Sequence, residues 1–232
     1  GRGMAYFYGQ IRKKEKKFYI LCQDYSFGRG MADAFKAGLK EYFPEAQIVG
    51  EDYHKLFLAD FAPYLEKIKA SGAEVVYTGD WIPDAANLLK QARQMGIKLP
   101  FANLFMNEPN FLHEVGVEGT KGLMHIDIYD MPHAFKNYPD FIKFYKAWNN
   151  GWKKGWKPPF DTKLWEHGTM GLGLYGASAY WLFSVIERAK SLDPEKIIKV
   201  WEGDIYQFPN GKIVKMRACD HKMITPLGVS EY

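Results

Sequence analysis

Two glycines sit just past an apolar run. Phe18-Tyr19-Ile20-Leu21-Cys22 leads through Gln23-Asp24-Tyr25-Ser26-Phe27 to Gly28-Arg29-Gly30, and a helical pattern follows. Glycines between a strand and a helix often cradle nucleotide phosphates, because backbone N–H groups at a helix start can close on the anion. The dinucleotide fingerprint needs a third glycine for close helix–strand packing, and Asp33 stands in its place. A carboxylate there would also repel a pyrophosphate. A P-loop needs Lys and then Ser or Thr after its glycines, and neither follows. The pattern argues against a nucleotide. What remains is a helix start at the carboxyl end of a strand, where open α/β sheets bind ligands, with Tyr25 and Phe27 at its mouth. The plain alternative is that Gly28 only permits a tight turn while the two rings cap core.

Two further apolar runs end in the same way. Val75-Val76-Tyr77-Thr78-Gly79 is followed by Asp80-Trp81-Ile82-Pro83-Asp84, and Pro100-Phe101-Ala102-Asn103 by Leu104-Phe105-Met106-Asn107-Glu108. Three strand ends thus offer aromatic faces with a few acids and an amide, the make-up of a pocket for a small organic molecule. Asp80 has a second reading as the N-cap of the next helix, and Glu108 as a solvated loop acid. Catalytic patterns are missing: no G-x-S-x-G elbow and no H-E-x-x-H motif occur, and the 6 His are scattered. His221 beside Asp220 invites a dyad, but neighbours on a strand point to opposite faces. Cys22 and Cys219 fit neither a zinc site nor a disulfide framework; Cys22 reads as a buried thiol. No metal, cofactor or enzymatic activity is expected.

The elements that must position these residues alternate regularly from residue 17. Strands are expected at 18–22, 46–52, 73–79, 100–105 and 121–129, separated by helices at 29–42, 60–72 and 83–95 and a short one at 110–116. That rhythm means βαβ units and a doubly wound parallel sheet. After residue 130 it changes to an aromatic-rich stretch, a long helix over 169–191 and a helix opened by Asp193-Pro194. A hairpin then turns at Asn210-Gly211 before a final strand. This second part has too few strands for a sheet of its own. The start reads as a helix through Met4, Tyr6, Phe7 and Ile11 with no cap before it, as if an N-terminal portion were missing.

Composition agrees with an ordinary globular protein: 47% hydrophobic, 25% charged, 16% aromatic. The net charge of +4 is modest, and its densest part, Arg12-Lys13-Lys14-Glu15-Lys16-Lys17, reads as a solvated helix end and not a nucleic-acid surface. No run of 18 apolar residues exists to span a membrane.

Taken in order, an apolar strand with D-Y-S-F-G, then D-F-A-P-Y-L-E-K-I-K, a further strand, K-Q-A-R-Q-M-G and finally G-K-I-V-K-M-R resemble the type I periplasmic substrate-binding proteins of ABC transporters, in the branch of branched-chain amino acid receptors. The resemblance implies two Rossmann-like lobes joined by crossover strands, the ligand lying between them. Residues 1–126 would be the second lobe, an α/β unit with a doubly wound parallel sheet. Residues 127–215 would be helices and a hairpin of the first, incomplete lobe, and 216–232 a crossover back. It further implies a periplasmic or extracellular, membrane-anchored location and permease subunits as partners, with no nucleic acid. The ligand would be an amino acid, an amide or an aromatic or carboxylate compound. The same fold used for ligand sensing without transport is the other reading. The expected ligand contacts are Tyr25, Phe27, Asp80, Trp81, Phe105 and Met106. Amino-acid receptors carry an acid where Phe105 falls, so a ligand without an α-amino group, or one whose cation meets Asp80, is implied.

Overall fold

The computed structural model describes residues 1–81, 83–106, 109–127, 176–208 and 211–231, together with 139, 140, 142, 143, 146 and 147. The chain divides into two compact units, Gly1–Asp127 with Val229–Tyr232, and Ile128–Gly228.

In the first unit the strands β1 (Lys17–Gln23), β2 (Gln47–His54), β3 (Val75–Tyr77), β4 (Phe101–Asn103) and β5 (Leu123–Asp127) join β9 (Gly228–Glu231) in one sheet of order β2-β1-β3-β4-β5-β9. The pairings β1–β2, β1–β3, β3–β4 and β4–β5 are parallel. β1 has five consecutive apolar, fully packed residues because both of its faces are covered. Its side chains alternate as a strand demands. Tyr19 and Leu21 pack with Leu65, Leu88 and Phe111 from the helices α3 (Ala62–Ala70), α4 (Asp84–Gln94) and α5 (Pro109–Thr120). Phe18, Ile20 and Cys22 pack with Met4, Phe35 and Leu39 from α1 (Arg2–Tyr6) and α2 (Ser26–Tyr42) on the other face.

Several local details differ from expectation. The opening helix becomes π-helical over Phe7–Arg12 and buries Met4, Ala5 and Tyr8, leaving Tyr6 and Ile11 exposed. The basic cluster that follows is tied down in part. Arg12 binds Glu15 and, at 2.8 Å, Glu231 of the last strand, and these two carboxylates raise its pKa. The helix α2 starts at Ser26, with Tyr25 in extended conformation before it, so both glycines of Gly28-Arg29-Gly30 lie inside the helix and not in a turn. Gly28 is there because α2 rises against β1: a Cβ would stand 2.0 Å from the Gln23 carbonyl oxygen. Around Gly30 the space is open. Gly28→Ala should therefore cost about 1–3 kcal/mol through forced backbone movement, whereas Gly30→Ala should not destabilise; urea unfolding of the two variants checks this. At α3 the N-cap is Phe61, with no side-chain cap bond, and Pro63 sits in the first turn; Asp60, the expected cap, stands one residue earlier and accepts the Ala62 N–H at 2.9 Å in a turn before the helix.

The second unit holds α6 (Gly176–Ala189), α7 (Pro194–Trp201) and the strands β6 (Ile205–Gln207), β7 (Ile213–Met216) and β8 (Met223–Ile224). Contrary to expectation it has a sheet of its own, antiparallel in order β6-β7-β8. The two-residue β8 was missed because so short a strand leaves no alternation to read. Its core gathers Trp181, Val185, Phe208, Val214 and Met216. Trp181 lies on Tyr206 at 5.9 Å and donates to Asp204 at 2.7 Å. Asp193 caps α7, accepting the Lys196 N–H at 3.2 Å. The aromatic stretch after residue 130, the first half of the helix expected over 169–191 and Asn210 lie largely outside the described residues.

Candidate functional site

The chain runs from β1 to β2 on one side and then crosses back to pair β3 on the other side of β1. That reversal opens a crevice at the carboxyl ends of β1 and β3, where doubly wound sheets bind ligands. The segments leaving β1, β3 and β4 place their aromatic residues there. Tyr25 and Phe27 have ring centroids 6.1 Å apart, and Phe27 and Phe105 5.9 Å. Trp81 joins them through its indole N–H, which donates to the Tyr25 hydroxyl at 2.8 Å. Because that hydroxyl accepts from Trp81, its own proton is left to be donated elsewhere. Phe27 is 37% exposed, and Tyr25, Trp81 and Phe105 are half-buried.

Behind this wall lies a buried polar layer that the sequence did not reveal. Asn103, at the end of β4, donates from Nδ2 to the Thr78 and Asp80 carbonyls at 3.0 and 2.9 Å. Its Oδ1 accepts from the Phe105 and Met106 N–H groups. One side chain thus braces the Trp81 segment against the Phe105 segment. At the end of β1, Gln23 donates to Asp84 Oδ2 at 2.7 Å, and the same oxygen accepts the Phe57 N–H at 2.9 Å. Phe57 has φ 58 and is 62% exposed, its ring standing at 88° to Trp81 with centroids 5.9 Å apart. Left-handed backbone at a bulky non-glycine residue costs on the order of 1–3 kcal/mol.

Asp80 and Met106, both expected to touch ligand, are closed off from solvent. Met106 is 0% exposed and belongs to the core with Phe101 and Phe111, because the Asn103-capped turn folds it inward. The Asp80 side chain is 0% exposed and meets His54, also 0% exposed, with Nε2 to Oδ2 at 2.8 Å. Nor does Asp80 cap α4, whose N-cap is Pro83. On the other side of the His54 ring, Nδ1 lies 2.9 Å from the Lys55 carbonyl. A carbonyl only accepts, so Nδ1 carries a hydrogen, and one further proton lies between Nε2 and Asp80. Burial alone would lower the His54 pKa, but the hydrogen bond and charge of Asp80 outweigh it and raise the value above 6.5. Burial also raises the Asp80 carboxyl, against the pull of His54. Both directions express one fact: the pair binds its shared proton more tightly than the separate groups do in water.

Asn107 and Glu108 lie outside the described residues. His221 is not on a strand; it sits at φ 52 beside a turn and pairs with Glu202 at 2.8 Å, while Asp220 pairs with Arg217. That pair borders a cavity of about 260 Å³ in the second unit, lined by Ile198, Trp201, Glu202, Met216 and His221. Both thiols are free, Cys22 buried and Cys219 exposed, and burial raises the Cys22 pKa well above its ordinary value. Among the described residues no group of three or more His, Cys, Asp or Glu could hold a metal ion. Nor is any helix among them long and apolar enough to cross a membrane.

A family model described as periplasmic binding protein matches residues 2–232. The chain belongs to this family. The leucine-, isoleucine-, valine-, threonine- and alanine-binding protein of Pseudomonas aeruginosa is 24% identical over 210 residues, 87% of this chain and 49% of that protein. The closed crystal structure of the protein of the same description from Brucella ovis superposes with a TM-score of 0.77 at 23% identity, over 99% of this chain and 55% of that one. A solute-binding protein of an ABC transporter from R. palustris, solved with 4-hydroxybenzoate, superposes at 0.74 with 20% identity, over 98% and 59%. The periplasmic binding protein fold is type I, with its parallel-dominated sheet. This chain spans about half the length of these relatives. They are named as binding proteins, not enzymes.

Proposed function

We propose that the protein is the solute receptor of an ABC importer, binding a small organic ligand against Tyr25, Phe27, Trp81 and Phe105 and closing a second lobe over it by hinge motion. In this reading it works in the periplasm or outside the cell and delivers its ligand to a membrane permease. Residues 1–126 act as one lobe, and 127–215 belong to the other. The observation that carries the proposal is the gathering of four aromatic rings at the carboxyl ends of three adjacent parallel strands, two of them locked by the Trp81–Tyr25 hydrogen bond.

The chemistry of the wall narrows the ligand. The Tyr25 hydroxyl has a proton to give, which suits a carboxylate, phenol or carbonyl oxygen. Asp80 is buried against His54, and Phe105 stands where amino-acid receptors carry an acid, so a ligand ammonium has no evident partner at these two positions. An aromatic or other apolar body bearing an acceptor oxygen fits best, and the relative solved with 4-hydroxybenzoate supports that class.

The natural full-length protein should be screened by thermal shift and calorimetry against benzoates, amides and amino acids. A true ligand must raise the unfolding temperature, since binding to the native state alone stabilises it. If no compound did so, the receptor reading would fail. Trp81→Ala should weaken binding by ~1–3 kcal/mol, the usual loss for a stacked aromatic anchor. Its own unfolding midpoint should move little, because the ring is only half-buried. Unchanged affinity would mean that Trp81 only packs.

A further inference from the structure

We infer that Phe57 is a specificity-determining contact of the ligand wall, held over it by the buried Gln23–Asp84 pair and selecting ligands with a flat ring; this rests on the wall being the ligand surface. Phe57 lies in the loop after β2, in the segment Lys55-Leu56-Phe57-Leu58, at φ 58. Glycine would take that conformation freely, yet a bulky aromatic occupies it. The strain is not offset by burial of the ring, which is 62% exposed. What holds the backbone is Asp84 Oδ2, accepting the Phe57 N–H at 2.9 Å while Gln23 Nε2 steadies the same oxygen at 2.7 Å. Both Gln23 and Asp84 are 0% exposed. Two fully buried polar side chains are thus committed to a loop whose outcome is a ring placed beside Trp81.

The geometry suggests what the ring is for. Its plane stands at 88° to that of Trp81, with centroids 5.9 Å apart. Two perpendicular rings make a corner. A flat ligand lying against either plane presents its edge to the other, and both stacked and edge-on contacts are favourable. A branched aliphatic side chain has no flat face to offer both walls. Phe57 would therefore bias the receptor toward rings, and Asp84 acts as a positioning residue through it.

The test uses Phe57→Gly in the full-length protein, because glycine keeps the left-handed backbone and should fold at least as well. Calorimetry would compare a ring panel (benzoate, 4-hydroxybenzoate, phenylalanine, tryptophan) with an aliphatic panel (leucine, valine). The expected result is a roughly three- to tenfold fall in the ratio of ring to aliphatic affinity, the size of one aromatic edge contact. Asp84→Ala should lower the same ratio in the wild-type background and add nothing once Phe57→Gly is present. An equal loss for both panels, or no change while Trp81→Ala weakens binding, would overturn the role of Phe57 and leave the wall standing. Failure of every compound to bind the unsubstituted protein would overturn both.

Discussion

His54→Leu should lower the unfolding free energy by ~3–5 kcal/mol at neutral pH, the cost of stranding a buried charge without its partner. Asp80 has no exposed surface, and its Oδ1 has no hydrogen-bond partner among the described residues, so His54 is its main compensation. The loss should shrink in acid, where the stranded carboxyl can take up a proton. Replacing both partners, His54→Leu with Asp80→Leu, should recover more than half of it, since removing a whole buried ion pair is often close to neutral. Urea unfolding of the single and double variants decides the matter. A loss below ~1 kcal/mol in the single variant, or no recovery in the double, would rule out charge compensation as the cause.

The same pair sets a pH dependence with a definite sign. In the unfolded chain His54 gives up its proton near 6.5, whereas in the native protein its value is raised. The stabilisation from the shared proton is therefore fully present below 6.5 and is lost as pH rises through the native value. Stability of the unsubstituted protein, followed upward from pH 6, should show this fall, and the double variant should show less of it.

Phe35→Ala should cost a further ~3–5 kcal/mol in the usual range for deleting a buried aromatic. The ring is 0% exposed, lies flat on Tyr77 with centroids 3.9 Å apart and meets the edge of Phe18 at 5.4 Å. It fastens α2 to β1 and β3, and α2 starts beside Tyr25 and carries Phe27. The substitution should shift the urea midpoint without changing the slope and should also weaken ligand binding, because the wall would lose its backing. Retained stability would show that the core collapses around the gap.

Much of this was legible because it is local. The apolar run from Phe18 to Cys22 and the helix start at Asp193-Pro194 are each decided by near neighbours in the chain, and they appear where expected. The four rings at the strand ends were legible too, because a parallel sheet brings its carboxyl ends to one edge. Individual side chains at that edge were harder. Met106 reads as a mouth residue until Asn103 Oδ1 turns the backbone inward. Asp80 reads as a cap or an exposed acid until His54, 26 residues earlier, is placed beside it.

The alternation of strands and helices, the family and the four aromatic residues at the ends of β1, β3 and β4 can be read from the chain alone, because each depends on periodicity or on an ordered run of motifs. Which acids are buried and which rings are exposed follows from the packing of distant segments. β2 and β3 are not neighbours in the sheet; β1 lies between them. No spacing in the chain announces that the last residue of β2 and the segments that follow β2 and β3 come together, joining His54 to Asp80 and setting Phe57 against Trp81. These contacts are fixed by strand order and by one strained backbone angle, neither of which is written in any local stretch of residues.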